Sequence, residues 1–204
     1  YGEFWAGAGR GTRSLVMFTL GTGIGGGIIE DGRIIAGRHG HGAECGHIII
    51  QMENARRCSC GGFGHLEAYA SATALVQRAL EALGRGDATA LRRRLAARDL
   101  TARAIAEEAE AGDALARRLM RETARYLAVG AVSLMHAIDP DLVLFGGGMI
   151  AAGPGFLDDI RADIRRLALP APAAGTRVEF AALGDDAGFI GAAGCARLAR
   201  EAPR

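Results

Sequence analysis

Two short apolar runs, each feeding straight into glycines, constrain the fold of this chain more than any other feature. Leu15 to Leu20, LVMFTL, leads into GTGIGGG at Gly21 to Gly27, and Leu142 to Phe145, LVLF, leads into Gly146-Gly147-Gly148. Short, continuous apolar runs suit strands that are buried on both faces. Ligands of open α/β sheets sit beyond the carboxyl ends of such strands. Glycines at those ends offer backbone N–H groups with no side chains in the way, which is a cradle for phosphate. Thr22 adds a hydroxyl donor. Bare turns also use glycine, so the two loops point to a nucleotide without requiring one.

The rest of the pattern fits a layered α/β fold. IIEDGRII sets Asp31-Gly32 between two isoleucine pairs, the signature of a two-residue hairpin. AGRHGHGAECG reads as a glycine-rich loop, and HIIIQM, from His47, as a further strand. Helices are expected from Glu67 to Leu83, stopped by Gly84 and Gly86, and from Leu91 to Ala97. A third is capped by Thr101, and a long fourth runs from Asp113 to Ile138. On the fourth, Leu115, Leu119, Leu127, Leu134 and Ile138 make a core face, and Asp139-Pro140 ends it. A helix around Phe156 to Leu169, a strand from Arg177 to Leu183 and a closing helix complete an alternation typical of an α/β layer.

Between the strand-rich and helical halves lies GHIIIQMENARRCSCGGFGHLE, Gly46 to Glu67. It holds two of the chain's five histidines and two of its four cysteines. His47, Cys58, Cys60 and His65 offer the four nitrogen or sulfur ligands that a structural Zn²⁺ takes in a tetrahedron. Gly61, Gly62 and Gly64 let the backbone fold back so that His65 reaches the ion held by the C-x-C pair. The alternative is two buried thiols beside two ordinary loop histidines; the crowding favours metal. Four protein ligands leave no open position, so the zinc would be structural and would pin a loop that has no core of its own. Glu44 and Glu67 flank the pinned segment, where carboxylates can accept hydrogen bonds from sugar hydroxyls. Either acid alone reads as a solvated surface residue.

Composition excludes several other chemistries. All 24 basic residues apart from histidine are arginine. That removes both the lysine of a P-loop and the amine of a Schiff-base enzyme. A net charge of +1 gives no reason to expect nucleic acid or a membrane surface as partner. Arg56-Arg57 and Arg92-Arg93-Arg94 read as solvated faces, and a zinc-dependent nucleic-acid binder has no other support. No apolar run is long enough to span a bilayer, no signal peptide opens the chain, and the cysteines are too few for a disulfide framework. A cytoplasmic location is therefore the default. The opening YGEFWAGAGRG has no initiator Met and reads as the middle of a helix and its exit loop, so a fragment is expected.

Taken in order, LGTGIGGG, GAECGH, CSCGGFGHLE, DPDLVLFGGG and ALGDDAGFIGAA resemble the ROK family (repressors, open reading frames and sugar kinases), and most of all its bacterial glucokinases. The resemblance covers nearly the whole chain. It implies a ribonuclease H-like, actin-like ATPase and sugar-kinase fold, with residues 1–204 as the C-terminal lobe carrying a zinc-bearing loop. It implies phosphorylation of a hexose, most simply the 6-hydroxyl of glucose, using ATP and Mg²⁺, and a homodimer. Gly21, Thr22 and Gly23 match the phosphate motif, and Gly146, Gly147 and Gly148 the adenosine motif. Glu44, His47 and Glu67 match sugar-binding residues; His47 would also ligate zinc with Cys58 and Cys60. His65 stands where the family has a third Cys, and retention of the metal with two sulfur and two nitrogen ligands is expected. The family's catalytic Asp, in an Asn-Asp pair, would lie upstream of Tyr1, so this fragment alone is expected to be inactive. The alternative within the family is the sugar-sensing half of a transcriptional regulator.

Overall fold

In the computed structural model, which describes residues 1–201, both apolar runs are central strands. The chain opens with a short helix, α1 (Gly2–Ala6), followed by β1 (Leu15–Leu20), β2 (Ile24–Glu30) and β3 (Arg33–Ile34). After the Cys/His segment come helices α2 (Glu67–Ala70), α3 (Ala72–Gly84), α4 (Leu91–Ala96), α5 (Ala102–Glu110) and the long α6 (Ala114–Ile138). The last third supplies β4 (Leu142–Gly146), α7 (Pro154–Leu167), α8 (Pro170–Gly175), β5 (Arg177–Phe180) and α9 (Ala187–Glu201). The five strands form one mixed sheet in the order β3-β2-β1-β4-β5. β1 pairs antiparallel with β2 and parallel with β4, and β4 runs parallel to β5.

Period-two alternation sorts the central strands onto two cores. Val16, Phe18 and Leu20 of β1 and Val143 and Phe145 of β4 face the larger one, beneath α6 and α7. Phe18 and Phe145 are register partners, and their rings stack with centroids 5.3 Å apart. Leu15, Leu142 and Leu144 face the smaller core with Ile29, covered by Tyr1, Phe4 and Ala8. Phe4 therefore packs within this chain, as does Trp5, whose ring lies under the Arg197 guanidinium. Arg13 and Ser14, just ahead of β1, donate their N–H groups to the Asp141 carboxylate, which ties the start of β1 to the start of β4.

Four expectations about elements change. The glycine stretch after β1 is a tight turn followed at once by a strand: Gly25, Gly26 and Gly27 pair with Thr19, Phe18 and Met17. Backbone pairing needs no side chain, and the lack of one at Gly26 leaves room for Cys45 against the sheet. HIIIQM does not join the sheet. The amides of Ile50 and Gln51 bond the Gly64 carbonyl and that of Leu66 bonds Ile48, so the segment pairs with the Cys/His loop. The helix expected from Glu67 to Leu83 is interrupted at Ser71, which is extended and caps α3 by accepting from the Ala74 N–H. The strand near the end stops at Phe180, and α8, a short proline-led helix, precedes it. Thr101 and Asp113 do cap α5 and α6. Cys195 is exposed, so it does not serve packing.

Candidate functional site

The two glycine loops meet at the carboxyl ends of β1 and β4. Between β1 and β2, the Gly21 carbonyl accepts from the Ala72 N–H, and the Thr22 carbonyl from the Thr73 hydroxyl. Both carbonyls thus point into the start of α3, while the N–H groups of Thr22 and Gly23 have no partner among the described residues. Gly147, at φ +86°, packs its α-carbon against the backbone of Leu20, where any side chain would collide. The close approach brings Gly147 and Gly148 beside Gly21 and Gly23 on one cleft. Gly146 is the last residue of β4, paired with Thr19, and supports this turn from beneath.

The Cys/His loop delivers its four residues to one point. The candidate ligand atoms of His47, Cys58, Cys60 and His65 all lie within 4.8 Å of one another. The two Nδ1 atoms are 3.3 Å apart, Cys58 Sγ is 3.8 Å from His47 Nδ1, and Cys60 Sγ is 3.2 Å from His65 Nδ1. Ligands around a tetrahedral zinc, with bonds of about 2.0–2.3 Å, stand about 3.3–3.8 Å apart. The donor set and spacing therefore fit such an ion, with His65 in the fourth corner. The loop is moored elsewhere by the Tyr69 hydroxyl, which accepts from the Arg56 N–H, and by the Arg56–Glu81 ion pair.

His47 turns Nδ1 towards the cysteines and Nε2 towards Glu44, 3.9 Å from its carboxylate. Glu67 ties the halves of the site together. One oxygen accepts from the Ile24 N–H at 2.9 Å, and the other from the Ser59 hydroxyl at 2.7 Å. Gly23 makes this possible, because a side chain there would occupy the space of the Glu67 carboxylate. Burial alone would raise the Glu67 carboxyl, but the bonds from Ile24, Ser59 and Cys58 and the nearby His47 outweigh it and hold the group below its ordinary value. Cys45, buried against the sheet, has its thiol pushed up to about 11, chiefly by burial. It is a packing residue, not a nucleophile.

Glu44, His47 and Glu67 share a cleft of about 460 Å³ with Gly21, Gly23, Gly147 and Gly148. A neighbouring hollow of about 360 Å³ opens on the other side of Gly21 and Thr22 and is bounded by Gly148, Ala152, Leu75, Met120 and α5. Small side chains and two methionines give it a flat apolar lining, with Arg103, Glu107 and Glu110 at its polar end. The pair of hollows can hold a polar polyhydroxy molecule beside an elongated phosphate-bearing one. Sequence reasoning missed Ser59, whose only signal was its place between the two cysteines, and missed α5 as a wall, because the packing of α5 against the Gly148 turn is a tertiary fact.

A mixed sheet with glycine turns at neighbouring strand ends, flanked by helices, fits the actin-like ATPase class. The ROK family model matches residues 1–199, and the chain belongs to that family. It is 38% identical over 196 residues to a glucokinase of Halalkalibacterium halodurans, a match covering 93% of this chain and 58% of the relative. Among solved structures it resembles a ROK family glucokinase from Streptomyces griseus in complex with glucose and AMPPNP, at 34% identity and TM-score 0.83, covering 97% of this chain and 65% of that one. A ROK family transcriptional regulator, a homolog of the E. coli MLC protein, is also similar, at 28% identity and TM-score 0.82, covering 94% of this chain and 48% of that one. The chain thus spans less than two thirds of the length of each of these relatives.

Proposed function

We propose that residues 1–204 are the C-terminal lobe of an ATP-dependent hexose kinase whose sugar is glucose. The observation that carries this reading is the convergence of Glu44, His47 and Glu67 on one cleft with the glycines of both turns. Carboxylates facing a cleft are acceptors for vicinal hydroxyls, and an imidazole N–H beside them is a donor to a sugar oxygen. The unpartnered N–H groups at Thr22 and Gly23 are donors for phosphate oxygens, and preorganised donors of this kind stabilise charge that develops in phosphoryl transfer. The adenosine would lie in the apolar hollow against Met149 and Ala152. Mg²⁺ would arrive with the nucleotide, held through its phosphates and not by a protein cage.

In this reading Glu44 and Glu67 orient the sugar, and His47 donates its Nε2–H to a sugar oxygen while Nδ1 would join Cys58, Cys60 and His65 around a structural Zn²⁺. Bound there, zinc would supply no step of the reaction; it would fix a loop whose Cys60 and Phe63 are exposed to solvent. The base that takes the hydroxyl proton belongs to a segment outside residues 1–204, so this lobe binds without turning over. The reading carries a homodimer and a cytoplasmic location with it.

The test is a coupled assay on the full-length enzyme, comparing glucose with N-acetylmannosamine, fructose and allose at saturating ATP. Glucose is expected to give the highest kcat/KM. The likeness to a transcriptional regulator supports a second reading, sugar sensing without catalysis. Glucose binding with no ATP consumption by the full-length protein would establish that reading in place of the first.

A further inference from the structure

The remaining charge of this nearly neutral chain is unevenly spread. On the far side of α6 from the smaller core, a hollow of about 510 Å³ is lined by Arg117, Arg118, Arg121, Arg125 and Arg166, with Glu122 and Asp163 as its only acids. Both acids are engaged: Glu122 pairs with the buried Arg78 at 2.9 Å, and Asp163 with Arg166 at 2.7 Å. Arg118 is paired with Asp87, outside the hollow. Arg117 spends only its Nε, on the neutral Ala109 carbonyl, and keeps its charge uncompensated. Arg121 and Arg125 have no hydrogen-bond or ion-pair partner among the described residues.

Arg117, Arg121 and Arg125 recur every four residues on α6, so they form one stripe with about 6 Å between steps and about 12 Å overall. Uncompensated like charges along a helix face are mutually repulsive and cost stability unless an anion sits among them. Guanidinium forks match phosphate oxygens in pairs. The lining has no aromatic side chain, so it offers no platform for a nucleobase. Its dimensions suit a small, elongated molecule with charge at both ends.

We infer that this hollow is a second anion site, for a small molecule carrying two or more phosphates. It is separate from the nucleotide reading, though physically close to it. A smaller hollow of about 270 Å³ shares Arg117 and Arg121 with the arginine stripe, and Met120, Glu110 and Ala152 with the apolar pocket. A single turn of α6 thus presents Met120 to one pocket and Arg117 and Arg121 to the other.

The experiment is isothermal titration calorimetry of the intact protein with sodium tripolyphosphate and, in a parallel arm, with fructose 1,6-bisphosphate, each with and without AMPPNP. One site per chain is expected, retained in the presence of AMPPNP and weakening as salt rises. An Arg121→Ala/Arg125→Ala double variant should bind about 100-fold more weakly, since each removes a charge-assisted hydrogen bond. The tighter of the two probes identifies an inorganic or a sugar-borne source. Both side chains are exposed, so the variant should melt with the wild type. Should it not, Arg121→Lys/Arg125→Lys keeps the charge while losing the fork, and intermediate binding supports the site. Absence of saturable binding, binding unchanged in the double variant, or binding abolished by AMPPNP would each overturn the assignment.

Discussion

In the proposed function Glu67 performs two tasks that substitution can separate. Its carboxylate braces the glycine turn through the Ile24 N–H and the Cys/His loop through the Ser59 hydroxyl. Oε2 carries only the Ile24 bond and can accept a second, so the group remains available to a sugar hydroxyl. In Glu67→Gln the amide oxygen can keep the Ile24 N–H, and the NH₂ can donate to Ser59, reversing that bond. The brace survives and the negative charge is lost. Glu67→Ala removes both bonds. For charge-assisted bonds at a half-buried position the lower end of the usual range applies, giving about 3 kcal/mol in total. That corresponds to a fall in Tm of about 6–12 °C for a domain of this size, against about 2–4 °C for the glutamine variant. In steady-state kinetics of the full-length enzyme, Glu67→Gln should raise the KM for glucose roughly 10- to 100-fold. The KM for ATP should move by less than about threefold, because the turn remains braced. If Glu67→Gln melts like the wild type yet raises both KM values equally, Glu67 acts on the nucleotide turn and not on the sugar, and the assignment fails.

Two further outcomes are expected. Elemental analysis of the purified protein should find about one zinc per chain, and Cys58→Ser or His65→Ala should lose it together with activity and protease resistance of residues 48–66, since metal and loop folding are coupled; full activity in a zinc-free variant would refute loop pinning. At the start of α6, burial alone would raise the Asp113 carboxyl, but the Ala116 and Ala90 N–H groups and the Thr89 hydroxyl outweigh it and lower its pKa. A lowered carboxylate stabilises the fold above its unfolded pKa, about 3.9, and loses that contribution as pH falls through the folded value. Asp113→Ala should therefore cost about 2 kcal/mol at pH 7, seen in urea melts, and the gap from wild type should close below about pH 3.9; a gap independent of pH would show that the side chain acts by packing alone.

The strands and caps were legible because their signals are local. β1 and β4 carry buried patterns that no neighbour could override, and Thr101 and Asp113 cap helices by bonds spanning three residues. The candidate metal group was legible from the crowding of scarce residue types, and the four side chains meet as that crowding implied. What escaped was set by tertiary pairing. GIGGGII is weak in strand propensity because four of its seven residues are glycine, yet it pairs along β1, and HIIIQM has high strand propensity, yet its amides go to the Gly64 loop. Propensity lost in both cases to the partner available in space. The break at Ser71 was obscured because the helical period runs on across it, while a serine hydroxyl and the demand of Gly21 for the Ala72 N–H decide the local geometry.

The glycine-rich strand also explains why the site needs the Cys/His loop at all. Gly23 and Gly26 allow Glu67 and Cys45 to approach β2 and the turn before it closely, but they offer no side chains with which to hold what approaches. Glu67 reaches the strand through one backbone bond, and Glu44 sits in the exposed approach to the turn before His47. Conformational freedom remaining in either acid would cost affinity for any ligand that must order it. A metal held by the four candidate ligands of residues 47 to 65 would fix both ends of that segment, with Glu44 three residues ahead of the first and Glu67 two residues after the last. In the proposed reading a metal cross-link would supply here the preorganisation that a hydrophobic core supplies elsewhere. At the far end of that segment Gly62 leaves the His65 ring room beside the loop backbone, where any side chain would meet it.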